Sequence, residues 1–175
     1  MEIFKYILPA FIVMMTAYLL LDKMLNAEAK RRQRERSSGT EAAIVPIRLR
    51  AYERLMLLLE RTNPGTMVLQ VIQPGMKSIE LQTKLLSYIR QEFEHNFSQQ
   101  IYVSDTLWRS ITLTEENLSK LINTTASHFK PDDSASAFAE ALIRIYSEAE
   151  KNPTQMAIEL LKAESRKEFF QNEES

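Results

Sequence analysis

Hydrophobic positions along this chain fall into two regimes: one unbroken apolar run at the start, then short amphipathic stretches separated by turn signals. From Ile3 to Leu21 (IFKYILPAFIVMMTAYLLL) nearly every residue is apolar, so a helix over this run has no polar face. A helix rises ~1.5 Å per residue and needs roughly 20 apolar residues to cross about 30 Å of hydrocarbon. The run therefore predicts one membrane-spanning helix over 1–22. Lys5 can snorkel from one end, and Tyr6 and Tyr18 lie where aromatic rings meet headgroups. Lys23, Lys30, Arg31, Arg32, Arg34 and Arg36 follow as a basic collar. Their excess over the charge ahead of the run predicts an outward amino terminus and a cytoplasmic remainder, the topology of a single-pass inner-membrane protein. The same collar can hold anionic lipid, at ~1 kcal/mol per basic residue near the surface. The rival reading is a cleaved export signal, suggested by the A-x-A pattern at Ala27, Glu28 and Ala29. It is disfavoured because the mature chain would open on KRRQRER, a charge run that resists translocation.

After the run, 23–45 reads as a juxtamembrane tether: good helix formers from Asn26 to Arg36, broken at Ser37, Ser38 and Gly39. The domain expected over 46–175 is all helical. Pro46 suits a first helical turn, and Tyr52, Leu55, Met56 and Leu59 recur at helical spacing up to Asn63, Pro64 and Gly65. MVLQVI (67–72) fits a short strand or a short helix capped by Asn63. The helix is favoured, because a lone strand has no partner in this chain. Gln73, Pro74 and Gly75 make a turn and Ser78 a cap. Leu81, Leu85, Ile89, Phe93 and Phe97 then form an inward stripe. Ile101, Tyr102 and Val103 read as an extended linker whose side chains plug the core. Ser104 opens a helix with Leu107, Trp108, Ile111, Leu118, Leu121, Ile122 and Phe129 inward, and a capping box at Thr112 and Glu115 predicts a break near Thr114. The last two helices are expected to turn Phe138, Leu142, Ile145 and Ala149, and Met156, Leu160 and Leu161, to the core. Asn152, Pro153, Thr154 and Gln155 combine a cap, a first-turn proline and a capping-box Gln. The fold class is thus all-α: one N-terminal transmembrane helix followed by a compact bundle of about five or six helices.

Composition narrows the chemistry. The chain has 175 residues, room for the anchor and one domain. With no cysteine, disulfides and thiolate metal sites are excluded. With three glycines there is no phosphate-cradling loop. Acidic residues outnumber basic ones from Ser37 onward, which repels a nucleic-acid backbone. Glu92 and His95 form an E-x-x-H pair one turn apart, the half-motif of carboxylate two-metal bundles. The second half is missing, since the other histidine, His128, has Thr125 three positions earlier. No glycine-framed serine elbow or Ser, His, acid set is present. No catalytic residue, cofactor or metal is therefore expected.

The segments IRLRAYERLMLLLERTNP, VIQPGMKSIELQTKLLSYIRQEFEHNFSQQIYVSDTLW and NPTQMAIELLKAES, following an apolar run and a basic collar, are carried in the same order by a family of bacterial single-span proteins known only as a domain of unknown function, which this chain resembles over most of its length. The resemblance implies a membrane-anchored helical protein and brings no activity, cofactor or site residue. In its most specific stretch, QEFEHNFSQQIYVSD from Gln91 to Asp105, a run from Glu94 to Gln100 that is polar apart from Phe97 leads straight into apolar Ile101, Tyr102 and Val103, which predicts a fixed polar junction involving Glu92, His95, Gln99, Gln100 and Trp108. The function expected is a non-enzymatic interaction or scaffold protein on the cytoplasmic face, contacting the lipid bilayer and a protein partner, with homo-oligomerisation possible and no nucleic acid bound. The alternative is a membrane-local lipid or small-ligand binder, or an enzyme, with Glu92 and His95 as acid and base.

Overall fold

The computed structural model describes residues 3–149 and 152–169, and within the first helix the side chains at 14–16, 18, 20–28 and from 43 onward. Six α-helices and one 3-10 turn lie among them: α1 (Ile3–Arg61), α2 (Pro64–Val71), α3 (Ser78–Asn96), the turn (Phe97–Tyr102), α4 (Asp105–Ala126), α5 (Ala135–Glu148) and α6 (Pro153–Phe169). The chain divides into two compact units, Met1–Pro46 and Ile47–Ser175.

The first unit corrects the expected fold class. Among the described residues, no helix is long and apolar enough to cross a membrane. Its described apolar side chains Met14, Met15, Tyr18, Leu20 and Leu21 are followed by Asp22 and Lys23. The side chains at 1–13, where the rest of the expected anchor falls, lie outside the described residues. The chain is all helical, and the transmembrane helix is not supported. The break expected at Ser37, Ser38 and Gly39 is also absent, since α1 is helical through them. Serine costs a helix about 0.5 kcal/mol and glycine ~1 kcal/mol relative to alanine, which strong helix formers on both sides outweigh.

In the second unit, the end of α1 and five further helices enclose one apolar core. Tyr52, Leu55, Leu58 and Leu59 from α1 meet Leu81, Leu85, Ile89 and Phe93 from α3, Leu107, Ile111, Leu118 and Ile122 from α4, Phe138 and Leu142 from α5, and Ala157, Ile158 and Leu161 from α6. Local chemistry sets the element boundaries. Asn63 accepts from the Gly65 amide at 3.0 Å, and Pro64 occupies the first turn of α2, so MVLQVI is helical rather than a strand. Gly75 takes a φ of 81°, a left-handed conformation that only glycine adopts cheaply, and turns the chain from α2 toward α3. The cap of α3 is Lys77 rather than Ser78: the Lys77 amide donates to Glu80 Oε2 at 2.8 Å.

The start of α3 is also tied to the start of α5. Ser78 N–H donates to the Asp133 carbonyl at 2.8 Å and Ala135 N–H to the Met76 carbonyl at 3.2 Å, an antiparallel bridge between Lys77 and Ser134. These bonds satisfy first-turn amides that a helix cannot pair internally.

Several expected faces rotate. α4 is unbroken, because Thr112 Oγ1 bonds back to the Trp108 and Arg109 carbonyls instead of capping, while Thr114 is buried and bonds the Ser110 and Pro153 carbonyls. Phe97 is 60% exposed, since the helical repeat changes to 3-10 at that residue and turns the stripe off the core. Of the expected linker, Ile101 is 72% exposed in the same turn, whereas Val103 is half-buried against the core. α5 turns Ala135, Phe138, Ala139 and Leu142 inward and leaves Ile145 outside, while α6 turns in Thr154, Ala157, Ile158 and Leu161 and leaves Met156 outside.

Candidate functional site

Glu92 and His95 line a cavity of about 320 Å³ where α1 passes the C-terminal end of α3, together with Arg54, Arg61 and Asn96. Glu92 is mostly buried, its side chain 18% exposed, and lies 3.7 Å from Arg61 Nη1, whose side chain is 57% exposed. Tyr88, one turn earlier on α3, has its phenol pushed above the ordinary tyrosine value by burial first and by the Glu92 carboxylate second. Asn96 donates from Nδ2 to the Glu92 carbonyl at 2.8 Å and accepts from Arg54 Nε at 3.3 Å, while Arg54 Nη2 donates to the His95 carbonyl at 3.3 Å. Arg54 thus places a cation on the last carbonyls of α3, where a helix end favours positive charge. His95 contributes its backbone to this arrangement and leaves its ring exposed; no hydrogen bond joins it to Glu92 among the described residues.

The other residues expected at the junction lie apart from that cavity. Gln99 is buried in the 3-10 turn and donates to Ser98 Oγ at 3.1 Å, and Gln100 is half-buried beside it. Trp108 is half-buried and packs edge-on to Phe97, ring centroids 5.9 Å apart. In the collar, Lys23 is exposed on α1, whereas the side chains of Lys30, Arg31, Arg32, Arg34 and Arg36 lie outside the described residues. No group of three or more His, Asp or Glu side chains is placed to hold a metal among the described residues.

Two features escape sequence reasoning. The first is a polar tie centred on Glu164 of α6, which accepts from Tyr52 Oη at 2.8 Å and from the Ser104 amide at 2.9 Å, and also bonds Ser104 Oγ. One carboxylate thereby joins α1, the cap of α4 and α6. Tyr52 is buried, and its phenol is held well above the usual tyrosine value, first by burial and then by its hydrogen bond to Glu164. Nothing in the local sequence marks Glu164 as different from its neighbours, because its partners are 60 and 112 positions away.

The second is a groove of about 550 Å³ between α1 and α6. Leu49, Met56 and Leu57 form its α1 wall with Glu53, Tyr52 and Leu161 its floor, and Lys162, Ser165 and Arg166 its α6 wall. Arg48 pairs with Glu168 and Tyr52 with Glu164, so α6 runs antiparallel to this part of α1. Leu57 is 53% exposed. An apolar slot of this volume with a few charged groups on one wall has the form of a binding surface. The signal was present in the sequence, since Leu49 and Leu57 sit outside the Tyr52, Leu55, Leu59 stripe and leave α1 apolar on more than its core face.

The model of a family of unknown function (DUF7935) matches residues 1–168, and the chain belongs to that family. No curated protein and no solved structure matches it.

Proposed function

We propose, from membership in that family and from the distribution of groups in the second unit, that this chain is a non-enzymatic helical interaction protein whose working surface is the groove between α1 and α6. The observation that carries this reading is the apolar wall of α1, exposed Leu49 and Leu57 beside half-buried Met56, set against an α6 wall with two cations. Leaving large apolar side chains in a preformed slot costs ~25 cal/mol for every Å² kept in water, a cost that an occupant removes. By contrast, the polar groups at the end of α3 are already committed to each other and to helix carbonyls, an arrangement suited to fixing α3 on α1. The basic residues from Lys23 to Arg36 support contact with anionic lipid headgroups, a reading that rests on their charge.

A photo-reactive amino acid at Leu57 tests the groove in cells, with Thr83, exposed on α3, as the control. The expected result is a discrete cross-linked species from position 57 and none from 83. No product, or equal product from both positions, contradicts the reading.

A second reading has one observation in its favour: Glu92 and His95 share a cavity. Glu92→Gln and His95→Ala separate the two readings. Binding or turnover of a small ligand that either variant abolishes, at unchanged thermal stability, would transfer the function to that cavity.

A further inference from the structure

The groove carries three charged side chains, Glu53 on the α1 wall and Lys162 and Arg166 on the α6 wall, and none of them has an ion-pair or hydrogen-bond partner among the described residues. The pairs Arg48 with Glu168 and Tyr52 with Glu164 fix the antiparallel register of the two helices. In that register, position 53 falls between positions 162 and 166 along the groove, with Leu49 one turn before Glu53 and Leu57 one turn after it. The surface therefore bears, at a single level, one carboxylate flanked by two apolar side chains on one wall and two cations one turn apart on the other.

From this register we infer that the occupant of the groove is a second copy of the same chain. When two copies meet groove to groove so that α1 of each faces α6 of the other, Glu53 of each lies opposite the Lys162 and Arg166 pair of the other. The two-fold axis therefore runs along the groove, because an axis across it would set Glu53 against Glu53. Leu49 and Leu57 then lie against the α6 wall of the other copy, where the aliphatic stems of Lys162 and Arg166 offer apolar surface. Such a contact is isologous and self-limiting, so it produces a dimer and not a filament. Both charge signs on one patch distinguish this occupant from a fatty acid or an acidic peptide, for which Glu53 would be repulsive. The charges set register and partner choice, and the apolar flanks supply the area removed from water.

The inference rests on the groove being the working surface, and charge exchange on the full chain tests it. Sedimentation velocity over a concentration series should show a reversible dimer for the parent. Glu53→Lys alone, and Lys162→Glu with Arg166→Glu, should each raise the dissociation constant by about tenfold or more. The triple variant combining all three reversals should recover the dimer, which no general loss of stability can mimic. Leu57→Glu, at a half-exposed position, should give monomer with an unchanged melting temperature. A monomeric parent, a Glu53→Lys dimer of parental affinity, or a triple variant that stays monomeric overturns the inference. A monomeric parent that cross-links from position 57 to a different protein overturns it while leaving the groove as the working surface. A monomer that instead binds a fluorescent 16-carbon fatty acid, lost in Leu57→Glu, overturns it in favour of a lipid.

Discussion

Glu164→Ala removes the one carboxylate that holds three elements together, so its effect on stability measures how much the second unit depends on that tie. In the parent, Glu164 accepts from Tyr52 Oη at 2.8 Å and from the Ser104 amide at 2.9 Å, and also bonds Ser104 Oγ. A hydrogen bond to a charged group contributes about 1.5–3 kcal/mol, and the low end applies to Ser104, which water can still reach. Tyr52 is buried, so its hydroxyl would be left without an acceptor at a cost of about 1–3 kcal/mol. These losses overlap, and together they give ~2–4 kcal/mol. For a domain of this size that lowers the melting temperature by about 8–15 °C. Thermal unfolding followed by circular dichroism at 222 nm, with urea unfolding as a second measure, provides the assay. Glu164→Gln keeps an acceptor but loses the charge and should fall between parent and Ala. Glu168→Ala, which removes only the exposed pair with Arg48, should cost under ~1 kcal/mol. An Ala variant within 0.5 kcal/mol of the parent, or one no worse than Glu168→Ala, would show the tie to be incidental.

Phe138 is fully buried and packs on Phe129 with ring centroids 5.6 Å apart, so Phe138→Ala should cost about 3–5 kcal/mol by urea unfolding and a tolerated cavity would contradict the core assignment. Glu115 has its carboxyl pushed above the ordinary value, by burial first and then by Glu116 and Glu94, against the opposing pull of Arg90. Because the folded value lies above the unfolded one, this group's contribution is full below the unfolded value and is lost as pH rises through the folded value. Glu115→Gln should therefore raise the melting temperature by about 1–2 °C at pH 7 and by nothing below about pH 4, a difference read from melts across pH 3–8.

Elements governed by local chemistry were legible in the sequence. Asn63 with Pro64, and Asn152 with Pro153, open helices where their side chains bond the amides two residues on, at 3.0 Å in each case. The inward stripe Leu81, Leu85, Ile89 and Phe93 follows from helical spacing alone. What depended on distant partners was not legible. Lys77 meets Ser134 through a backbone bridge that no side-chain pattern encodes, and Gln155, expected to close a capping box, bonds Glu159 instead. The stripe fails at Phe97 because periodicity carries no information about where an α-helix tightens to 3-10. At the end of α3, Glu92 and His95 line one cavity, as a spacing of one turn on a single helix requires. Arg54 and Arg61, which organise them, lie on a different helix, so only the packing of α1 on α3 identifies them. The anchor illustrates the opposite hazard: the run satisfies a length rule in sequence, yet among the described residues no helix is long and apolar enough to cross a membrane.

The chain contains no cysteine, so a single introduced thiol reports on one position without background. Maleimide labelling of Leu57→Cys in intact cells, compared with the purified chain at high dilution and with Thr83→Cys in both settings, measures directly whether the groove is occupied where the protein works. An occupied groove predicts slow labelling at position 57 in cells, fast labelling in the dilute chain, and no difference at position 83. Equal rates at position 57 in the two settings would contradict the claim that this surface carries the function.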